Sequence, residues 1–333
     1  MPIRTATVRA ADIPSSQTDF PFYVDLGRVG ATALTLAEAQ SSRWYTDTDL
    51  VTQMAREIVS LTEGHGKYAS LTSTSKVAID YDGIRADLAV GDTFGRNNVW
   101  SDYIAVFHMV DANSSTGSNN ASNTGVTFST SNGKIREGAN FNNSSDVLSV
   151  TDAASIKPVN ITVSSWVYPT SLAGFPIFID RFNANTADGY RMYFGSSRLN
   201  FEIMRGSSVN VAGATTVSIN NWYYVVGTYN GTNVIAYLNG VSDATASTSG
   251  NIAYSTSTDL GIGKRTTGSA SNLTGDIDEM RLKNSASSAN WITTEYNNQN
   301  DEATFWGTWT TFGGGGFTPT PLMHMRMMAG GGV

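Results

Sequence analysis

Asn221-Trp222-Tyr223-Tyr224-Val225-Val226-Gly227-Thr228-Tyr229-Asn230-Gly231 is followed, two residues later, by Val234-Ile235-Ala236-Tyr237-Leu238-Asn239-Gly240. Both runs are rich in β-branched and aromatic side chains, which suit a pleated, half-buried surface. Asn-Gly between them tolerates the positive φ that a tight turn needs, so the pair predicts a β-hairpin. Upstream, Tyr190-Arg191-Met192-Tyr193-Phe194 and Arg198-Leu199-Asn200-Phe201-Glu202-Ile203 flank Gly195-Ser196-Ser197 and predict a second hairpin with a short glycine-bearing loop. In Ile161-Thr162-Val163-Ser164-Ser165-Trp166-Val167-Tyr168 the apolar Ile161, Val163 and Val167 share one face, while Trp166 and Tyr168 point to the other. Both faces of this strand are therefore covered, as in a β-sandwich.

The rest of the chain has the same texture. Charged residues make up 15% and glycine occurs 32 times, with Ser, Thr and Asn crowded between short apolar runs, which favours strands and turns over helices. At 333 residues the chain exceeds the usual size of one domain. The net charge of -7 comes without any basic run, which sets aside a nucleic-acid surface, because phosphate binding needs clustered Lys and Arg. Cysteine is absent, which removes disulfides, thiolate metal sites and cysteine nucleophiles. No segment is apolar enough over sufficient length to insert in a bilayer. Met1-Pro2-Ile3-Arg4-Thr5-Ala6-Thr7-Val8 lacks the features of a signal peptide, and the expectation is a protein made in a host cytoplasm and carried out on a virion surface; the alternative is an extracellular or cell-surface protein.

In the first hundred residues, Phe20-Pro21-Phe22-Tyr23-Val24-Asp25-Leu26 and Lys76-Val77-Ala78-Ile79-Asp80-Tyr81 predict strands, with a short helix over Thr35 to Gln40. Phe20-Pro21-Phe22-Tyr23-Val24, Arg56-Glu57-Ile58, Asp80-Tyr81-Asp82-Gly83 and Val99-Trp100-Ser101-Asp102-Tyr103 resemble, in that order, a domain of unknown function that often precedes jelly rolls in microbial surface proteins. Asp80-Tyr81-Asp82-Gly83 departs from that family's usual Tyr-Tyr-Gly. Beyond it, Ser165-Trp166-Val167-Tyr168-Pro169, the Asn221 to Gly231 run, Tyr237-Leu238-Asn239-Gly240, Gly261-Ile262-Gly263 and Gly275-Asp276-Ile277-Asp278-Glu279-Met280-Arg281-Leu282 resemble a laminin-G-like, concanavalin A-like jelly roll in its expected order. The fold class this implies is all-β. A mainly-β N-terminal anchoring domain occupies 1–101, a jelly-roll β-sandwich opening at Ile104-Ala105-Val106-Phe107-His108-Met109 occupies 102–302, and a Gly/Met-rich tail occupies 303–333. Trp291-Ile292-Thr293-Thr294-Glu295-Tyr296 predicts a helix lying on the sandwich.

Jelly-roll glycoside hydrolases place acids at alternate positions of one strand, so that all face one cleft. The corresponding positions are Asp276, Asp278 and Met280, where the third acid is missing; strict alternation points Glu279 to the opposite face. The expectation is a protein that is not an enzyme. No Gly-x-Ser-x-Gly elbow with matching His and Asp is present either. The same alternation puts Asp278 beside Met280 and Leu282, where an unpaired charge is costly. The resemblance implies a structural calcium with Asp278 among its ligands; the plain alternative is a hydrogen-bonded Asp fixing a strand end. His65, His108 and His324 stand apart in sequence, lack a second ligand at a metal-type spacing and read as structural. Aromatic faces beside polar groups mark a candidate glycan contact at Phe182, Asn183, Tyr190 and Arg191, with core packing as the alternative for Tyr190. Met323, Met325, Met327 and Met328 follow a glycine run and read as adaptable side chains for assembly on a neighbour.

The expected function is a structural or adhesion protein displayed on a surface, foremost a phage decoration, tail or fibre component. Its expected partners are itself, other virion or surface proteins, and cell-surface glycans. The alternative is a carbohydrate-binding module of a microbial surface or secreted protein, and the last alternative a glycoside hydrolase.

Overall fold

The computed structural model describes residues 2–183, 185–186, 188–266 and 271–312. Two antiparallel sheets pack face to face as a concanavalin-type jelly roll. The first has eight strands in the order Thr127–Ser129, Gly138–Phe141, Gly275–Lys283, Ile161–Pro169, Tyr223–Tyr229, Asn233–Leu238 and Val241–Ser247, with Tyr103–Phe107 also paired to Gly275–Lys283. The second has seven: Ser208–Ala212, Arg198–Met204, Asp188–Gly195, Ile177–Asn183, Leu260–Ile262, Val147–Val150 and Ser122–Thr124. The inward positions read from alternation, Ile161, Val163 and Val167, are buried in the core between them, together with Phe201, Val225 and Ile277. Gly227 permits that approach, because a Cβ there would lie 2.4 Å from Phe201 Cδ2.

The second hairpin differs in detail from its reading. Gly195 pairs with Arg198, so the loop is Ser196-Ser197 alone, with φ of 51° and 56°. Two successive positive φ values match the turn whose twist suits a two-residue hairpin, here without glycine. The helix expected at 35–40 is Leu36–Ser41, started by a capping box between Thr35 and Glu38. The expected helix on the sandwich runs Ala289–Asn300.

Residues 2–101 supply four strands of a five-stranded sheet and all of a three-stranded one. The five-stranded sheet is completed from the far end of the chain, since Thr310–Thr311 pairs with Ile3–Thr7. Phe305, Trp306 and Trp309 are buried in the N-terminal core, so the segment set apart from residue 303 onward is part of the fold as far as residue 312. Met323, Met325, Met327 and Met328 lie outside the described residues. That core does not stop at residue 102. Phe20, Phe22 and Trp44 share one apolar cluster with Trp166, Tyr224, Val226 and Trp291, and the Phe20 and Trp291 rings are 4.8 Å apart. Asn298 fastens the joint: its Oδ1 accepts from Tyr23 N at 2.6 Å and its Nδ2 donates to Tyr23 O at 3.0 Å. Much of the outer face of the eight-stranded sheet is thus covered by the N-terminal sheets and the Ala289–Asn300 helix. The outer face of the seven-stranded sheet lies on the opposite side of the sandwich. Among the described residues no helix is long and apolar enough to cross a membrane.

Candidate functional site

Two places carry unusual chemistry, and the first lies in the joint between the N-terminal sheets and the sandwich. In Glu63–Leu71, Gly64 and Gly66 face Trp44 and Phe22; a Cβ on Gly66 would sit 2.4 Å from Phe22 Cζ. Alternation then sends Glu63 and His65 to the opposite face, toward the jelly roll. There they meet His108, which follows the Tyr103–Phe107 strand, and Glu279 of Gly275–Lys283.

Glu279 reaches this place through a β-bulge. Ser164 pairs with Arg281 and Trp166 with Asp278, so the Gly275–Lys283 strand carries one residue more than its partner, and Glu279 has φ of 50°. The bulge resets alternation. Ile277, Met280 and Leu282 enter the sandwich core, while Asp278, Glu279 and Arg281 are buried outside it, on the covered face. This corrects two sequence readings: Asp278 does not share a face with Met280 and Leu282, and Glu279 does not point away from Asp278.

His65 and His108, read as isolated, are stacked with ring centroids 4.5 Å apart and planes 24° from parallel. His65 Nε2 is 2.9 Å from Glu63 Oε1 and 3.9 Å from Glu279 Oε1. His108 Nδ1 is 3.4 Å from Glu63 Oε1 and in short contact with Glu279 Oε1. The other edge of His108 is fixed, because Nε2 lies 3.1 Å from Glu57 Oε2. Glu57 in turn accepts from Trp100 Nε1 at 2.5 Å and Ser115 Oγ at 2.7 Å. The second oxygen of Glu279 accepts from Arg281 Nε at 3.0 Å, and Arg281 Nη1 donates to Glu295 at 2.7 Å. Burial pushes Glu63 up and His65 down. For His108 burial acts downward, but Glu279 and Glu57 outweigh it and raise its proton affinity; for Glu279 burial acts upward, but His108 and Arg281 outweigh it and lower it. A cleft of about 430 Å³, lined by Glu57, Arg96, His108, Asp111 and Ser115 among others, reaches one side of the cluster. The sequence signal for this site is Glu63-Gly64-His65-Gly66: two ligand-type residues at i, i+2 on a strand, with the opposite face stripped of side chains.

Asp278 stands beside this group. Its Oδ2 accepts from Lys134 N at 2.9 Å and Ile135 N at 2.8 Å, and burial followed by the nearby Glu279 pushes its carboxyl up. It therefore pins the 134–135 segment. Asp276 accepts from Asn140 Nδ2 at 2.6 Å.

The second place is the outer face of the seven-stranded sheet. Asp180, Arg191, Glu202 and Asn210 are successive cross-strand partners. Arg191 Nη2 and Nε lie 2.7 Å and 2.9 Å from Glu202 Oε2, and its guanidinium carbon is 4.0 Å from the Phe182 ring centroid and 4.8 Å from that of Tyr193. Ser208 Oγ donates to Glu202 Oε1 at 2.5 Å. Phe175, 58% exposed, meets Tyr193 edge to face at 6.0 Å. The structure thus brings Phe182 and Arg191 together, with Asn183 at the end of the same strand accepting from Asn185 N at 3.1 Å. Tyr190 is separated from them: it is buried in the core and its hydroxyl donates to Ile156 O at 3.2 Å.

Asp180 gives this face a measurable signature. It is fully buried, Oδ1 accepts from Phe182 N at 3.3 Å, Oδ2 has no hydrogen-bond partner, and burial pushes the carboxyl up to about 7 against the pull of Arg265 and Arg191. The folded chain therefore keeps a proton that the unfolded chain releases near pH 4, and stability falls as pH rises from about 4 through about 7. Asp180→Asn removes this loss, so thermal melts of the two proteins should diverge between pH 5 and pH 8, with the variant ahead by about 2–3 kcal/mol at pH 8. Parallel curves across that range would show that Asp180 is not held protonated.

Residues 141–293 match the model of the Concanavalin A-like lectin/glucanases superfamily. No curated protein sequence matches the chain. Among solved structures, the chain is similar to the binding domain of Paraclostridial Mosquitocidal Protein 1, with 16% identity, 62% of this chain and 55% of that one covered, and a TM-score of 0.50. Domain 4 of an extracellular GH43 arabinanase from Geobacillus stearothermophilus, solved with arabinotriose, gives 16% identity over 58% of this chain and 97% of that one, with a TM-score of 0.49. The binding domain of botulinum neurotoxin DC, solved in complex with SialylT, gives 14% identity, 60% and 52% coverage and a TM-score of 0.44. This chain therefore spans about half the length of the two toxin domains. At these identities the likeness is one of fold.

Proposed function

We propose that the chain, whose residues 141–293 match a superfamily of lectins and glucanases, is a non-catalytic carbohydrate-recognition module that its N-terminal sheets hold on a larger surface. The observation that carries this reading is the outer face of the seven-stranded sheet, where Arg191, bracketed by Glu202 and the Phe182 and Tyr193 rings, stands in a row with Asn210 beside the exposed Phe175. Glu202 holds the guanidinium in place as a donor to sugar hydroxyls, and an open aromatic ring covers the apolar face of a sugar. The contact residues in this reading are Phe175, Asn183 and Arg191; Phe182, 1% exposed, supports the guanidinium from beneath, and Tyr190 lies in the core. A non-catalytic role is supported by the engagement of the acids of the Gly275–Lys283 strand: Asp278 by backbone amides, and Glu279 by His108 and Arg281 within the joint. A glycan array probed with the full chain should give saturable binding to a restricted set of oligosaccharides, and uniform background across the array would overturn the reading.

The finer reading is a virus-particle component, a decoration, tail or fibre protein, that assembles through Met323, Met325, Met327 and Met328. Sedimentation of the full chain beside a chain ending at residue 312 tests it. The full chain is expected to self-associate and the shortened one to remain smaller; identical sedimentation would remove the tail from assembly.

A further inference from the structure

The joint between the N-terminal sheets and the jelly roll holds four electron-pair donors aimed at one point. His65 Nε2, His108 Nδ1, Glu63 Oε1 and Glu279 Oε1 all lie within 4.8 Å of one another, and all four side chains are buried. Carboxylate oxygens only accept hydrogen bonds, and a neutral imidazole has one donor nitrogen. Glu57 accepts from His108 at Nε2, and Nδ1 faces two carboxylate oxygens. Positive charge is required where these atoms converge, and either a second proton on the His108 ring or a metal ion in its place supplies it.

We propose that Glu63, His65, His108 and Glu279 form a structural site for one divalent transition-metal ion of the zinc type, which clamps the N-terminal sheets to the jelly roll. Two imidazoles with two carboxylates suit such an ion; calcium, which takes six to eight oxygens, is a poor match. A tetrahedral ion with bonds of about 2 Å spaces its ligands about 3.3 Å apart. Three of the four His–Glu contacts, at 2.9, 3.4 and 3.9 Å, bracket that value, and the shorter fourth, His108 Nδ1 to Glu279 Oε1, has to open when the ion enters. Two of the four ligands have the outer contacts that metal ligands need: His108 is oriented through its far nitrogen by Glu57, and Glu279 is held through its second oxygen by Arg281, while the far nitrogen of His65 has no hydrogen-bond partner. The cleft that reaches His108 and Glu57 is the entry path. Four protein ligands leave no open position, so the role is structural, and binding strengthens the fold.

The test uses the full chain. Purified protein stripped with a chelator is dialysed against zinc chloride, and bound metal is counted by mass spectrometry. The proposal expects one zinc per chain, retained through gel filtration, and a melting temperature raised by about 5 °C at a hundredfold excess over the dissociation constant. Glu63→Gln and His65→Asn should lose the zinc and the shift. Cobalt chloride supplies a readout that does not need the variants to fold: the wild type should give the intense visible absorption of four-coordinate cobalt. Absence of both zinc retention and this absorption, or equal zinc binding by folded variants, would overturn the proposal.

Discussion

Arg281→Met should destabilise the protein by about 3–5 kcal/mol, the cost of removing one partner from a buried ionic network. The side chain is only 2% exposed and stands between two carboxylates, Glu279 and Glu295, that are themselves buried. Its guanidinium also lies 4.8 Å from the Trp100 ring centroid. Methionine preserves much of the volume but leaves Glu295 without its cation and Glu279 with His108 alone. Urea denaturation of the two proteins measures the difference, provided the slope is unchanged. Converting Glu295 to Gln in the same chain should recover part of the loss, because a neutral amide costs less to bury than an unpaired carboxylate. A loss below about 1 kcal/mol in the single variant would show that these carboxylates reach water.

Removing residues 1–101 should have a larger effect still. Trp166, Tyr224, Val226 and Trp291 belong to the sandwich strands and its helix, yet they pack in the cluster that contains Phe20, Phe22 and Trp44. Each such side chain contributes about 1.5–3 kcal/mol when buried, so uncovering four of them removes an amount comparable with the entire net stability of a domain. The truncation also strands His108 and Glu279 without Glu57, Glu63 and His65. Residues 102–312 alone are expected to lack a cooperative thermal transition by circular dichroism and to aggregate. A cooperative transition at the temperature of the full chain would show that the cut at 102 separates independent folding units.

Sequence alternation was a good guide to the sandwich because its strands are regular over most of their length. Ile161, Val163 and Val167 turn inward and Trp166 outward as the two-residue period requires. Alternation failed where regularity failed: the bulge at Glu279 adds one residue, and every side-chain direction inferred across it was displaced. His65 and His108 are separated by the very segment that contains the boundary at 102, so no spacing rule could join them; a three-stranded sheet and the opening strand of the jelly roll had to be placed first. Phe182, Asn183, Tyr190 and Arg191 were grouped by residue type alone; the hairpin that brings Phe182 to Arg191 appeared only with the strand pairing, and Tyr190, one residue from Arg191, faces the core. Glu202 entered only with the cross-strand register.

The central claim, carbohydrate recognition on the outer face of the seven-stranded sheet, is tested most directly by calorimetric titration of the full chain and its Arg191→Ala variant with the oligosaccharide bound most strongly on the array. Both proteins would first be shown to be folded by melting. The account predicts an affinity at least tenfold weaker in the variant, about 1.4 kcal/mol, because the substitution removes the guanidinium that Glu202, Phe182 and Tyr193 hold in place. Equal affinities in the two proteins would contradict it.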